Sequence, residues 1–408
     1  MKTKYSFSRY QWAMIVILVL TQFTLVLDFM VMAPLGPVLM PYFSITPHQF
    51  SLLIASYAFS AFFSGVMSSF YADRFGRKNF LQFHYFGFLI GTLICGLTPL
   101  YGGMLLGRVV AGFFGGVLAA IVPTIIADLF PEEHRGAVIG YTQISFGICQ
   151  IIGLPVALSL SNRLSWHAPF LLVIGFGAFL SIVIFGVMKP MREHLNTQGF
   201  KKAKYKDLLL PSRNRNGLLL AFLVTLAAYL LMPFTSTYNV KNLGMALTDL
   251  PHFYLFTGLG VIFFAPIIGK LCDRVGKFPL FYFGAFLVTA VLSVYLRLDQ
   301  STLGILSFIN VLTFAGFFSM LISLQFYLTT LPAPEHRAGY LALYSSTQQL
   351  GGGVSVFLAG IIVEKDAEGK LIHFPRIGIL LVAVLILSVI IVRRIQGAVN
   401  LTHLKASL

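Results

Sequence analysis

An apolar stretch of about twenty residues recurs from one end of this sequence to the other. Such a stretch matches the ~30 Å hydrocarbon layer of a bilayer when coiled as a helix rising 1.5 Å per residue. No water reaches the backbone there, so each segment must close its own hydrogen bonds, and a helix does so. Segments of this kind fall at 11–37, 47–71, 80–97, 102–128, 137–160, 166–188, 216–239, 250–271, 279–297, 302–330, 339–362 and 375–393. Composition agrees: 57% of residues are hydrophobic and 11% charged, where a globular chain carries about a quarter charged. Too few polar residues remain to clothe a soluble surface. The expected fold class is an all-α membrane protein with 12 transmembrane helices. The first apolar run starts near Trp12 and continues past Pro34, longer than a cleavable signal sequence.

An even number of crossings puts both termini on one side, and charge chooses the side. One set of loops with both tails holds 22 Lys and Arg; the opposite loops hold six, and the last, Arg108, lies inside a span. Basic loops stay cytoplasmic, so both termini are expected in the cytoplasm. The +15 formal charge then sits beside an anionic lipid leaflet that attracts it. Membrane lipid is the expected partner of that charge, and nucleic acid is not. The one sizeable polar stretch, Lys189–Arg215, reads as a cytoplasmic basic linker. The expected organisation is a bundle over 1–188, the linker over 189–215, a second bundle over 216–393 and a tail over 394–408. Cys95, Cys149 and Cys272 have no metal-ligand spacing and lie in or beside apolar segments, as small buried hydrophobes do. No cofactor is implied.

The chain repeats itself. Asp73-Arg74-Phe75-Gly76-Arg77-Lys78 follows the second span, and Asp273-Arg274-Val275-Gly276-Lys277 follows the eighth at an offset of 200. Glu133-His134-Arg135 after the fourth span and Glu335-His336-Arg337 after the tenth match at an offset of 202. Two matches at nearly one offset imply two six-helix bundles in parallel orientation, the plan of carriers that rock about a central site.

The Asp73–Lys78 loop resembles the signature loop between the second and third spans of the major facilitator superfamily. Arg108-x-x-x-Gly112-x-x-Gly115-Gly116 resembles that family's proton-linked motif. Ser69 and Ala111 stand where the family carries Gly and Gln. The resemblance covers nearly the whole chain. It implies a secondary transporter of a small-molecule substrate, monomeric and not an enzyme, in the bacterial cytoplasmic (inner) membrane. Proton-coupled efflux of an amphipathic drug or metabolite is the first expectation. Symport or uniport of a small organic anion or other nutrient is the alternative. By the same resemblance Asp73, Arg77 and Asp128 form a charge cluster latching one conformational state, duplicated at Asp273, Arg274 and Lys277; Arg74 belongs to the first copy. Glu133, Arg135, Glu335 and Arg337 are expected to make analogous contacts at helix ends.

Two charges lie inside the spans. Asp28 has apolar neighbours on both sides in Leu25-Val26-Leu27-Asp28-Phe29-Met30. An ionised group in lipid costs several kcal/mol, so it must face the bundle interior or a cavity. Asp28 lies about six residues before Pro34, and Arg108 about six after Gly102. At 1.5 Å per residue both sit roughly 9 Å below the outer surface, within reach of each other. Desolvation favours the neutral carboxyl and a nearby guanidinium favours the charged one, so alternating exposure would make Asp28 a proton carrier tuned by Arg108. A static ion pair and a contact to substrate charge are the other readings of the same two residues.

Candidate liners of a substrate cavity are the polar and aromatic residues inside spans: Gln22, Tyr57, Gln143, Gln150, Tyr229, Tyr238, Asn239, Gln325 and Gln348. An amide in an apolar span is costly unless paired, so each faces a cavity or bonds another helix. Gly153-Leu154-Pro155 partly matches an export-associated Gly-Pro motif. A channel would need polar rings along a pore, and an ATP-driven pump a phosphate-binding loop of the type G-x-x-x-x-G-K-[ST]; the sequence has neither.

Overall fold

The computed structural model describes residues 7–71, 74–192, 211–329, 331 and 337–406. The chain is helical almost throughout. Its helices are α1 (Arg9–Val31), α2 (Gly36–Tyr42), α3 (Pro47–Tyr71), α4 (Arg77–Leu97), α5 (Tyr101–Leu129), α6 (Glu132–Ile148), α7 (Leu154–Arg163), α8 (Ala168–Val187), α9 (Ser212–Tyr229), α10 (Thr235–Lys241), α11 (Leu250–Val275), α12 (Lys277–Tyr295), α13 (Leu303–Thr329), α14 (Arg337–Ile362) and α15 (Phe374–Ala406). Among the described residues, ten segments are long and apolar enough to cross a membrane. The segments expected to be the seventh and eleventh spans are not among them. α9 spends its first turn on Ser212, Arg213, Asn214, Arg215 and Asn216, and α14 carries Ser345, Ser346, Thr347, Gln348 and Gln349 at mid-length.

Two expected spans are corrected in shape. The stretches 11–37 and 216–239 are not single helices: the first breaks at Met32–Leu35 and the second at Leu230–Phe234. Each break holds a proline, Pro34 or Pro233, which has no N–H to continue the ladder. Each is followed by a seven-residue helix, α2 and α10, whose starts lie 199 residues apart. This is a third match of the internal repeat, visible only in three dimensions. The fifth expected span is interrupted too. A π-helical turn at Cys149–Gly153, closed by Leu154 N–H donating to the Cys149 carbonyl, precedes Pro155 and accommodates its missing donor.

The chain separates into two compact units, one of residues 1–32 and 56–200, the other of 33–55 and 201–408. The first unit pairs α4 with α5 and α8, and α1 with α6 and α8. α3 crosses α5 at close range. A Cβ on Gly112 would meet the Tyr57 carbonyl, and one on Gly116 the Ala61 carbonyl. Glycine at these places lets the two backbones touch. The outer faces are apolar: Phe83, Phe86, Phe179, Ile182 and Phe185 are exposed, as side chains facing lipid are. At 29 residues, α5 is about 43 Å long and overreaches the hydrocarbon.

The second unit packs α9 on α14 and α15, and α13 on α11 and α12, with α2 against α10. It holds the one departure from an all-α chain among the described residues. The loop between α14 and α15 forms a two-stranded antiparallel hairpin, β1 (Glu364–Lys365) with β2 (Leu371–Ile372). Asp366 Oδ1 accepts from the Glu368 and Lys370 amides, and Gly369 takes φ +79° in the turn, a conformation glycine adopts without strain. Asn242 clasps the hairpin on one side, exchanging two 3.0 Å hydrogen bonds with the Leu371 backbone. On the other side the Lys365 ammonium donates to the Ile45 carbonyl at 3.2 Å. A crevice of about 850 Å³ lies beside this contact, lined in part by Ser44, His48, Gly360 and Lys365.

Candidate functional site

The geometry of the first unit gathers at Asp28 and Arg108. α1 begins at a capping box, Ser8 with Gln11, and carries Asp28 on its last turn before the break. The glycine face of α5 brings Tyr57 of α3 to Arg108. The Arg108 Nη1 donates to Asp28 Oδ2 at 2.8 Å and to the Asp28 carbonyl at 3.2 Å. Both side chains have zero exposure. The guanidinium carbon lies 4.4 Å from the centroid of the Tyr57 ring, a cation–π contact of about 2 kcal/mol when desolvated. Tyr57 packs in turn on Phe29.

Two features of this pair go beyond a simple salt bridge. The Nε and Nη2 of Arg108 are buried without a hydrogen-bond partner among the described residues. A buried ionic group keeps its stability only when its remaining donors are satisfied. The other carboxylate oxygen, Oδ1, accepts from the Thr92 hydroxyl of α4 at 3.0 Å. Thr92 is a residue that sequence reasoning passed over. A threonine in an apolar helix ordinarily bonds its own backbone four residues back, and Thr92 does reach the Phe88 carbonyl at 3.1 Å, so nothing in the sequence singles it out.

A second charge pair lies at the loop end of α4 and α5. Arg77 Nε donates to Asp128 Oδ2 at 2.7 Å; the arginine side chain is 4% exposed and the aspartate 27%. The Arg77 amide also holds the Met191 carbonyl at 3.1 Å. Arg135 closes the end of α5, donating to the Ala127 and Phe130 carbonyls, where a cation satisfies the last orphan acceptors. Arg74 is exposed. Asp73, Glu335 and the side chains of Glu133 and Arg337 lie outside the described residues. In the second copy Arg274 is exposed and the side chain of Asp273 is outside the described set. The Lys277 ammonium lies over aromatic rings, 5.1 Å from that of Tyr327.

Four of the expected cavity liners fall in the first unit and five in the second. Tyr57 belongs to the ion pair. Gln150 is fully buried in the π-helical turn, its Nε2 4.0 Å from the Met30 sulfur and its Oε1 without a partner among the described residues. Gln22 of α1 is half-buried. In the second unit Tyr238 stacks on Phe374, and Asn239 accepts from the Tyr295 hydroxyl at 2.7 Å. Gln348 donates to the Tyr344 hydroxyl at 2.9 Å. Gln325 is exposed on α13 and Tyr229 half-buried at the end of α9. The side chain of Gln143 lies outside the described residues.

Fold and charge together define a polytopic membrane protein with a buried ion pair, the architecture of a carrier. A profile of the Major Facilitator Superfamily matches residues 18–356, and the chain belongs to that family of transporters. The Multidrug resistance protein 3 of Bacillus subtilis is 32% identical over 146 residues, covering 36% of this chain and 28% of that protein. The class C tetracycline resistance protein of Escherichia coli is 35% identical over 128 residues, covering 31% of this chain and 32% of the relative. This chain therefore matches about a third or less of the length of either. A crystal structure of a D-xylose–proton symporter superposes with a TM-score of 0.74 at 15% identity, over 93% of this chain and 97% of that one. At that identity the likeness shows the fold alone. The bacterial relatives support a multi-pass protein of the bacterial inner membrane.

Proposed function

We propose that this protein is a secondary active transporter that exports a small amphipathic molecule in exchange for protons. The observation that carries the reading is the Asp28–Arg108 pair, both members fully buried in one unit. Two unit charges taken out of water cost several kcal/mol per ion; a group retained at that cost, and able to change charge with exposure, is suited to couple a proton to a conformational step. Asp28 is the protonation site, and Arg108 tunes it. The Arg77–Asp128 bridge acts as a latch, present in one state of an alternating-access cycle and broken in the other; Asp73 and the second copy at Asp273, Arg274 and Lys277 complete it. The relatives named for multidrug and tetracycline resistance favour export.

The reading includes twelve crossings in two six-helix halves joined by the basic linker, both termini cytoplasmic, and a monomer. The basic loops support the orientation. A second reading has its own observation. The unpartnered Nε and Nη2 of Arg108 form one edge of the guanidinium, which matches an oxyanion bidentately. That edge favours proton symport of an organic anion.

Reconstituted liposomes decide between them. With ethidium as the probe cation, an inward proton gradient drives ethidium out in the native protein and not in Asp28→Asn. Equal gradient-driven movement by both would remove Asp28 from the mechanism. Uptake of a carboxylate probe such as benzoate that runs with the proton, absent in Arg108→Gln, would establish the second reading in place of the first.

A further inference from the structure

We infer that Thr92 is a positioning residue for the proton, a two-way hydroxyl that lets Asp28 change charge without leaving a buried polar atom unsatisfied. The inference rests on Asp28 being the protonation site. Its basis is that the Thr92 hydroxyl carries one proton and stands within reach of two acceptors: Asp28 Oδ1 at 3.0 Å and the Phe88 carbonyl at 3.1 Å. Thr92 is fully buried, so no water competes for either position.

The two carboxylate oxygens are not equivalent. Oδ2 is held by Arg108 Nη1 at 2.8 Å, a charge-assisted bond that stays in place whether the carboxyl is charged or neutral. An incoming proton therefore binds Oδ1. While Asp28 is ionised, Thr92 donates to Oδ1. When Oδ1 gains its proton, the Thr92 hydroxyl turns its own proton to the Phe88 carbonyl, and the Thr92 oxygen accepts from the new Oδ1–H. No covalent bond of Thr92 breaks, no proton leaves it, and the Thr92 hydroxyl and both Asp28 oxygens are paired in both states. A hydroxyl serves here because it is donor and acceptor at once. A buried polar group that lost its partner in one state would oppose that state.

The other titratable groups near Asp28 come from the elements packed around α1. α3 supplies Tyr57 and α5 supplies Arg108; α4 supplies Cys95, which interacts electrostatically with Asp28. α8 carries no titratable side chain. On α6, His134 and Tyr141 pack near Phe7 and Trp12, at the opposite end of α1. The π-helical turn adds only buried Cys149, and α7 adds exposed Arg163 at its last residue.

The test needs no substrate. In the purified full-length protein, the infrared carbonyl stretch of the protonated Asp28 carboxyl is identified as the band that Asp28→Asn removes, and is followed against pH. A hydrogen bond to a charged group outweighs one to a neutral group, so removing the hydroxyl should move the midpoint of this band up by about one pH unit in Thr92→Val. Thr92→Ser should restore the native midpoint, and Thr92→Ala, smaller and free of overpacking, should behave as Thr92→Val. Native and Thr92→Val midpoints that coincide would overturn the inference while leaving Asp28 as the proton site. A failure of Thr92→Ser to restore the midpoint would overturn it too, by assigning the effect to packing. If no band in the native protein titrates and vanishes with Asp28→Asn, the reading of Asp28 itself fails first.

Discussion

In the first half of the chain, Arg108 of α5 lies over the ring of Tyr57 of α3. In the second half, 202 and 200 residues further on, Asn310 of α13 donates to the hydroxyl of Thr257 of α11 at 2.9 Å. The helix breaks repeat at an offset of 199, which carries Asp28 onto Ala227 of α9, fully buried and without a charge. The two halves thus place interhelical contacts at matching points of the same frame. One set is ionic and wholly buried; the other is neutral and self-satisfied. Around the second set the polar contacts are neutral as well, Tyr295 with Asn239 and Ser236 with Tyr254. The repeat copies backbone geometry, which apolar packing dictates. It does not copy titratable chemistry, which is costly to bury and, in the proposed mechanism, needed once.

This contrast can be tested by moving chemistry from one half to the other. The largest effect is expected from Asp28→Asn, which leaves the Arg108 charge uncompensated in a dry site. Thermal and denaturant unfolding should show a loss of about 3–5 kcal/mol, with proton-driven transport abolished. Grafting the neutral set of the second half onto the first, as Asp28→Ala with Arg108→Asn and Tyr57→Thr, should recover much of that stability and none of the coupling. These neighbours share one network, so their effects will not add. Asn310→Ala should cost about 1 kcal/mol and leave the pH dependence of transport unchanged. A pH profile displaced by Asn310→Ala would place proton chemistry in the second half as well.

The loop copies differ in the same manner, Arg77 ion-paired and Lys277 lying over rings. Arg77→Ala should shift the population of conformers by about two- to fivefold, read by distance-sensitive spin labels, since a part-exposed bridge is worth at most about 1 kcal/mol. The smallest effect concerns two lysines of the hairpin between α14 and α15. Burial, and then the neighbouring Lys241, hold Lys365 below its ordinary value, while the hydrogen bond and charge of Glu368 raise Lys370. Charging Lys365 therefore opposes the strapped hairpin, a penalty present at neutral pH and lost as pH rises through its lowered value. Acylation of the two amines followed by mass spectrometry should show the labelling midpoint of Lys365 at the lower pH.

Much of this architecture was legible in the sequence, because hydrocarbon imposes its length and polarity on whatever crosses it. The apolar runs foretold the helices, and counting residues from Pro34 and Gly102 set Asp28 and Arg108 at one depth, where the structure joins them. The breaks at Met32–Leu35 and Leu230–Phe234 were not legible, since membrane helices tolerate proline and only packing decides which prolines interrupt the ladder. Tyr57 read as a cavity liner, for an aromatic in a span gives no sign of which neighbour it will meet; the glycines Gly112 and Gly116 hold that information, in the close approach they allow. Thr92 was hidden by the commonness of its backbone contact. The amides divide the same way: Asn239 and Gln348 satisfied the rule that a buried amide needs a partner by finding a tyrosine hydroxyl.

Proton counting on the purified protein tests the proposal most directly. In weakly buffered solution with a pH indicator, saturating the native carrier with ethidium should release close to one proton per molecule, and the Asp28→Asn protein should bind ethidium and release none. Equal proton release from both proteins would contradict the assignment of the coupling to this buried pair.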